Sequence, residues 1–486
     1  MGPPDFQHKG RATSRNIKLE KAKEKERANA AAVKSDHTVE WSWPYTSRYR
    51  STCFLVLGFA FLLRYLVSLH SYSGAGTPPK FGDYEAQRHW MEITVNTPVE
   101  DWYRNTTDND LTYWGLDYPP LTAYQSFVHG SVIEALQPEA VALHTSRGFE
   151  SPSSKMLMRW TVLSSDVLLF FPAVLWFINE FYSDYREKQR VWALAMVLLH
   201  PALMLIDHGH FQYNCISLGL AIAGAAAVVS KRELWACVLF PLSLNHKQMS
   251  AYYAPAFFAH LLGRCFQKNN LYKSTIAFVK LGVTVILTFA VCWWPFSESK
   301  ETALQVLSRL APMQRGIYED YVANFWCGTA MVFKWKQLFP MAFLAKLALG
   351  TTVSACLPSM VQQIYAPSRK GFLYSMLNCS LAFYFFSYQV HEKSVLLPII
   401  PASLLAIEEP QVLQWKLPTW FVAVSVSGAA VLHLMYFRLH PPRKYPFLFE
   451  ALIMAYTFAH FVPLALYTNW KQWLLPKDTP VKQKLT

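Results

Sequence analysis

Long blocks of apolar residues, separated by short polar turns, make up most of the chain after residue 50. The first block, 52–69, reads TCFLVLGFAFLLRYLVSL and is long enough to cross the hydrocarbon core of a bilayer as a helix. Arg64 interrupts this block, and we expect its charge to face the protein interior or the membrane interface rather than lipid. The other apolar blocks predict spans near 160–178, 191–206, 212–229, 234–247, 250–263, 275–295, 338–357, 372–388, 394–408, 418–437 and 446–467. The pattern predicts an all-α polytopic membrane protein with about 12 spans, in a range of about 10–14.

Two further apolar stretches are not counted as spans. Residues 121–136 follow a Pro-Pro pair that favours a helix start, but they include glutamine, histidine and glutamate. We expect an amphipathic helix on the lumenal membrane surface. Residues 322–333 are short and rich in tryptophan, phenylalanine and cysteine, which favours a re-entrant segment.

The distribution of charge predicts the orientation. Residues 1–50 form a basic arm that we place in the cytosol, and the basic turns DYREKQR, SKRE and RCFQKNNLYK then also face the cytosol. The predicted domain runs from 51 to 475, with lumenal loops at about 70–158 and 297–322, before a cytosolic tail at 476–486. Lys482 and Lys484 in this tail resemble a signal for retrieval to the endoplasmic reticulum.

Composition excludes other classes of protein. Charged residues make up 16% of the chain, against roughly 25% in a soluble domain. Part of the net charge of +13 lies in residues 9–27, a mixed-charge stretch without aromatic residues that could stack on bases, so nucleic-acid binding is not predicted. The eight cysteines include no CxxC pair, which argues against a disulfide framework or a cysteine metal site. Asn105 begins an N-glycosylation sequon in the first lumenal loop.

Four polar clusters all fall on the lumenal side of this topology, and this coincidence predicts a single lumenal active site. Each also has a structural alternative: Asp83 can cap a helix, Asp117 can cap a helix or tie a loop, the charged loop near 315–320 can be solvated, and 391–393 can be a solvated turn between spans. Two polar breaks, HGH at 208–210 and NHK at 245–247, are interpreted as pore-facing or structural groups. The four clusters contain Asp83; Asp117; Arg315, Glu319 and Asp320; and His391, Glu392 and Lys393.

Several motifs resemble those of the endoplasmic-reticulum alpha-1,3-glucosyltransferases that use dolichyl-phosphate glucose. The resemblance covers residues from about 50 to the C-terminus, and within this family it is strongest to the member that adds the first glucose to the lipid-linked high-mannose oligosaccharide. The sister enzyme that adds the second glucose carries a divergent run in place of GDYEAQRHW. The motifs are FGDYEAQRHW, EITVNTP, YWGLDYPPLTAY, HTSRGFES, HGHFQYN, RGIYEDYVANFWC and QVHEK.

The resemblance implies a multi-spanning GT-C fold, a lipid-phosphate donor and an inverting mechanism. It implies that Asp83 is the catalytic base, the group that takes the proton of the acceptor hydroxyl. It also places the following residues in the shell of the active site: Asp117, Glu319, Asp320, His391 and Glu392. We assign Arg315, His391 and Lys393 as candidates for the donor phosphate, since positive charge must stabilise the departing group. No metal and no cofactor beyond the donor substrate are expected.

Two alternatives stay open at this point. The chain could be the sister transferase that adds the second glucose. Many spans and lumenal polar clusters are also typical of a different class, a multi-pass transporter or lipid scramblase.

Overall fold

The described part of the chain is helical and contains no β-strand, which confirms the all-α prediction. The computed structural model describes residues 47–268, 270–310, 316–317, 322–330, 332–409 and 419–475. Contacts divide the chain into Met1–Arg50 and Ser51–Thr486. The predicted arm, apart from 47–50, and the predicted tail lie outside the described residues, and their cytosolic location stays a prediction.

Nineteen α-helices follow one another in the described residues. The first ten are α1 Ser47–Ser68, α2 Gly82–Asn96, α3 Pro120–Leu136, α4 Pro152–Ser165, α5 Phe171–Phe181, α6 Glu187–Leu198, α7 Pro201–Met204, α8 Asn214–Val229, α9 Glu233–His246 and α10 Ala254–Phe266. The others are α11 Leu271–Trp293, α12 Lys300–Leu310, α13 Phe325–Ala330, α14 Trp335–Leu338, α15 Met341–Tyr365, α16 Arg369–Phe386, α17 Leu396–Leu405, α18 Thr419–Arg438 and α19 Leu448–Trp473.

Six helical stretches among these residues are long and apolar enough to cross a membrane. Two shorter apolar helices, Asn214–Val229 and Val422–Arg438, accompany them. Other predicted spans coincide with helices such as α9, of 14 residues, and α10, of 13, which are shorter than the ~20 residues a span requires. The count of about 12 spans therefore stays a prediction. The six stretches are Ser47–Ser68, Pro152–Phe181, Glu187–Phe211, Leu271–Phe296, Met341–Tyr365 and Leu448–Trp473.

The two stretches that were excluded as spans form short or packed helices. The segment 121–136 is α3, whose Gly130 lies so close to α2 that a Cβ there would be 2.7 Å from Val95 Cγ2. Its opposite side exposes apolar side chains such as Val128, as expected of a surface helix. Among its described residues, the segment 322–333 contains the six-residue helix α13, which is too short to cross a bilayer.

Two π-helical turns interrupt the second and third of the six stretches. They comprise Asp166–Phe170 and Leu205–Phe211, and such turns often occur at functional sites because they change which side chains face inward. Asp166 accepts from Arg64 Nε at 3.1 Å and pairs with His208 Nε2 at 2.6 Å, all three being fully buried. Of the two positions predicted for Arg64, the protein interior or the membrane interface, the structure shows the interior.

Candidate active site

The carboxylate of Asp83 is the point at which three distant segments meet. Its Oδ2 atom accepts from His210 Nε2 at 2.8 Å, from Gln212 Nε2 at 2.6 Å and from Lys393 Nζ. Among the described residues no donor bonds to Oδ1. The Asp83 side chain is 24% exposed, so part of this carboxylate is accessible from outside the protein.

The backbone before Asp83 explains how α2 can begin at this position. Gly82 has a φ of +68°, in the left-handed region that suits glycine. A Cβ on Gly82 would lie 2.4 Å from the carbonyl oxygen of Ser73, and the Ser73 amide in turn donates to the carbonyl of His210 at 3.4 Å. The N-cap position is Phe81, which makes no side-chain cap. Asp83 therefore does not act as the helix cap that the sequence allowed.

The π-helical turn Leu205–Phe211 positions two of the partners of Asp83, His210 and Gln212. His210 lies within this turn, and Gln212 follows it in extended conformation. Within the same turn, Asp207 accepts from Asn214 Nδ2 at 2.7 Å and from the Cys215 amide at 2.8 Å. These bonds tie the π turn to the start of α8, so His210 and Gln212 are held toward Asp83.

Lys247 extends this hydrogen-bond chain into the interior. Its ammonium donates to Asn214 Oδ1 at 2.7 Å and to Gln212 Oε1 at 3.3 Å, and it lies 4.8 Å from the centre of the Tyr118 ring. Lys247 is buried, and a buried ammonium requires such partners. Gln212 thus bridges the buried Lys247 and the carboxylate of Asp83.

The surroundings of Asp83 keep it ionised. Burial by itself would raise the pKa of this carboxyl, but the hydrogen bond from His210 and the charge of Lys393 hold that pKa well below its usual range. Asp83 is consequently a carboxylate at neutral pH. A carboxylate can take a proton, whereas a carboxylic acid cannot.

A second, fully buried ionic cluster fixes α2 against the loop that follows α3. Arg88 makes a bidentate pair with Glu85, with both N–O distances 2.7 Å, and also binds Glu92 at 2.7 Å and Ser146 Oγ at 2.5 Å. Burial would raise the pKa of Glu92, but His89 and Arg88 lower it to about 2. The cluster holds the helix that carries Asp83, and it lies beside the site rather than in it.

Of the predicted cluster His391, Glu392 and Lys393, one residue contacts Asp83. Lys393 contacts Asp83, whereas His391 Nδ1 pairs with Glu392 Oε2 at 2.9 Å. Burial alone would raise the pKa of Glu392, but the hydrogen bond with His391 lowers it. Glu392 also lines a cavity of about 400 Å³ together with Tyr384, between α16 and the last two helices. The cluster therefore connects Asp83 with a neighbouring cleft.

Of the other predicted site residues, the structure describes Asp117. Its backbone carbonyl accepts from Gln248 Nε2 at 3.1 Å, next to Lys247, and the N-cap of α3 is Pro119 rather than Asp117. Asp117 thus lies on the Lys247 side of the site. Arg315, Glu319 and Asp320 lie outside the described residues, so their assignment stays a prediction.

Sequence reasoning did not assign His210, Gln212 or Lys247 to the site. The HGH and NHK breaks were interpreted as pore-facing or structural groups, yet His210 binds Asp83 and Lys247 binds Gln212. The sequence did contain an indication that these residues belong to the site, because both breaks interrupt apolar sequence on the same predicted side of the membrane as Asp83. Within the described ranges, no group of three or more His, Cys, Asp or Glu side chains could hold a metal ion. Independence from metals stays a prediction.

Comparison with known proteins agrees with the motifs. A probable dolichyl pyrophosphate Man9GlcNAc2 alpha-1,3-glucosyltransferase of Arabidopsis thaliana is 49% identical over 497 residues, covering 90% of this chain and 93% of the relative. The dolichyl pyrophosphate Man9GlcNAc2 alpha-1,3-glucosyltransferase of Rattus norvegicus is 45% identical, covering 81% and 75%. That of Saccharomyces cerevisiae is 42% identical, covering 72% and 65%. The sequence profile described as "ALG6, ALG8 glycosyltransferase family" matches residues 60–432, and the chain belongs to this family.

Proposed function

We propose that this membrane glycosyltransferase, of the GT-C class, transfers glucose from dolichyl-phosphate glucose to a dolichyl-pyrophosphate-linked Man9GlcNAc2 oligosaccharide. The product carries the first alpha-1,3-linked glucose. The relatives at 42% to 49% identity bear names that specify this acceptor and linkage. The observation that carries the proposal is the Asp83 carboxylate, whose Oδ2 atom is held by three donors while no described residue donates to its Oδ1 atom.

The reaction follows from the two oxygens of Asp83. The acceptor hydroxyl binds Oδ1 and gives its proton to the carboxylate while its oxygen attacks C1 of the glucose. The bond from C1 to the phosphate oxygen breaks, and dolichyl phosphate leaves with the electron pair. Attack from the side opposite the phosphate converts a beta-linked donor into an alpha-linked product.

Lys393 has a double role in this scheme. In the structure its ammonium binds Asp83, and a donor phosphate arriving nearby competes for the same positive charge. As the phosphate draws Lys393 away, the pKa of Asp83 rises and the carboxylate becomes a stronger base. His391 and Arg315 are the further candidates for the phosphate.

The proposed location is the endoplasmic-reticulum membrane, with the site in the lumen and both termini in the cytosol. Asn105 is exposed and its side-chain oxygen accepts from the Leu111 amide at 3.2 Å, so its side-chain nitrogen is accessible for glycosylation on that side. A lumenal site also meets the acceptor oligosaccharide, whose sugars must project into the same compartment.

A reconstituted assay tests the proposal. The purified chain in lipid vesicles receives radiolabelled dolichyl-phosphate glucose and lipid-linked Man9GlcNAc2, and the size and linkage of the product are measured. We expect extension by one alpha-1,3-linked glucose. Extension only of an acceptor that already carries one glucose would assign the sister activity instead, and movement of the donor between leaflets without a new glycosidic bond would assign a transporter or scramblase.

A further inference from the structure

A basic cavity of about 500 Å³ lies between the beginnings of α9 and α11. Four of its lining residues are cationic: Lys231, Arg232, Lys268 and Lys280. This basic cavity is well separated from Asp83. Helix α9 leads from the cavity to Lys247 over 14 residues, which corresponds to roughly 20 Å.

The described residues do not balance the positive charge of the basic cavity. Glu233 is the single acidic residue in its lining, and its carboxylate lies 3.4 Å from Arg264 Nε. In the described ranges no carboxylate comes within ion-pair distance of Lys231, Lys268 or Lys280. Several like charges around one cavity repel each other unless an anion joins them.

The position of Lys280 in the chain also favours an anion in the basic cavity. It is the one charged residue between 274 and 293, in a stretch long and apolar enough to cross the membrane. A lysine within a span is costly and marks a functional position by default. Side chains of a helix lean toward its N-terminus, so the Lys280 ammonium extends toward the beginning of α11 and into the basic cavity.

The rim of the basic cavity suits a lipid. Leu234 and Trp235 on α9 line the cavity and are more than half exposed. Leu271 and Tyr272, in the first turn of the helix α11 that carries Lys280, are also more than half exposed. Tryptophan and tyrosine are enriched where a membrane meets water, and the apolar side chains can contact acyl chains. A free anion would use the lysines alone, whereas a phospholipid uses the cations and the rim together.

We infer that the basic cavity binds the phosphate headgroup of an anionic phospholipid. Basic pockets between membrane helices on the cytosolic side are suited to such headgroups, and the turn SKRE at its edge is cytosolic in the predicted topology. The bound lipid neutralises Lys280 and its neighbours. It is a structural partner of the membrane domain and takes no part in glucose transfer.

Native mass spectrometry of the purified full chain tests this inference, with phosphatidylserine, phosphatidylcholine or inorganic phosphate as the added probe. The test variant is Arg232→Gln/Lys280→Gln, and Lys188→Gln/Lys444→Gln is the charge-matched control, since both of its lysines are exposed elsewhere. We expect the Kd for phosphatidylserine to rise about thirtyfold in the test variant, because each cation near an anionic lipid contributes a factor of about five. The control should bind like the wild type.

Three results would overturn the inference. The test and control variants could have equal Kd values for phosphatidylserine, or the wild type could bind phosphatidylcholine as tightly as phosphatidylserine. Inorganic phosphate could also displace phosphatidylserine at a similar concentration. The last result would assign the cavity to a free anion. If the double variant does not elute as a folded protein in size-exclusion chromatography, Lys268→Gln replaces it. This residue is exposed, and its loss should raise the Kd about fivefold.

Discussion

Lys393 and Asp83 are 310 positions apart in the chain, yet the ammonium of Lys393 donates to Oδ2 of Asp83. The same oxygen accepts from His210 and Gln212, so all three donors act on one atom. The bond from His210 and the charge of Lys393 lower the pKa of the carboxylate, and no donor among the described residues bonds to Oδ1. Base strength and access to the base are thus determined by different atoms of one side chain.

Replacement of Asp83 by asparagine should lower kcat by about 10²- to 10⁴-fold, the usual contribution of a positioned general base. Asparagine keeps the size of the side chain but cannot take the proton. The measurement is initial rate of glucose transfer in vesicles at saturating donor and acceptor. Asp110→Asn is the matched control, because Asp110 lies in an exposed turn and contacts Thr112. Substantial turnover by Asp83→Asn would remove Asp83 as the base.

Loss of the Lys393 charge should shift the acidic limb of the pH–rate profile. Lys393 and His210 hold the pKa of Asp83 below its usual value, so the wild type keeps its active carboxylate down to low pH. In Lys393→Gln that pKa rises, and the pH at which kcat/KM falls to half should move upward by about one to three pH units. The exposed Lys300→Gln is the control. An unshifted limb would show that Lys393 does not govern Asp83 in the working enzyme.

His210 is a positioning residue for Asp83, and two substitutions separate this role from packing. His210→Ala removes a hydrogen bond to a charged group and should lower kcat about ten- to a hundredfold, with little change in the acceptor KM. His210→Gln retains an N–H donor and should recover most of the loss. Steady-state kinetics of both variants give the answer; equal defects in the two would indicate a packing role only.

The extent to which the site was predictable differs between its residues. Asp83 and Lys393 stand in polar clusters that interrupt apolar sequence and carry recognisable motifs, so both were candidates from the sequence. His210 and Gln212 were not assigned, because their directions depend on the π turn Leu205–Phe211. A regular helical period of 3.6 residues cannot indicate where side chains point across such a turn.

The fold, like the site, was predictable where it depends on neighbouring residues and not where it depends on residues far apart in the chain. Apolar blocks predicted the helices well, since length and hydropathy are local properties of the sequence. The interior position of Arg64 was also predictable, because a charge within a span avoids lipid. Its partner Asp166 was not, since 102 positions separate the two residues and only tertiary packing brings them together.

Breaking the Arg64–Asp166 pair should destabilise the protein strongly. Arg64→Met leaves the buried carboxylate of Asp166 without its cation, and the expected cost is about 3 to 5 kcal/mol. The surface pair of Arg104 and Asp101, 4.0 Å apart, provides the control: Arg104→Ala should cost about 0 to 1 kcal/mol. Thermal unfolding of the detergent-solubilised variants measures the difference. A similar melting temperature for both would contradict the importance of the buried pair.

Two glycines should respond to the same substitution with opposite signs. Gly263 lies where α10 crosses α15, and a Cβ there would be 2.4 Å from the carbonyl oxygen of Gln363. Since neither backbone can move freely, Gly263→Ala should destabilise the fold by about 1 to 3 kcal/mol. Gly282 lies within α11 with no atom within 4 Å of the added Cβ, so Gly282→Ala should stabilise by about 0.5 to 1 kcal/mol, the helical preference for alanine over glycine. Melting temperatures of both variants, measured in one detergent, test both signs. If Gly282→Ala lowered the melting temperature as much as Gly263→Ala, the close packing of α10 against α15 would not explain the loss of stability at Gly263.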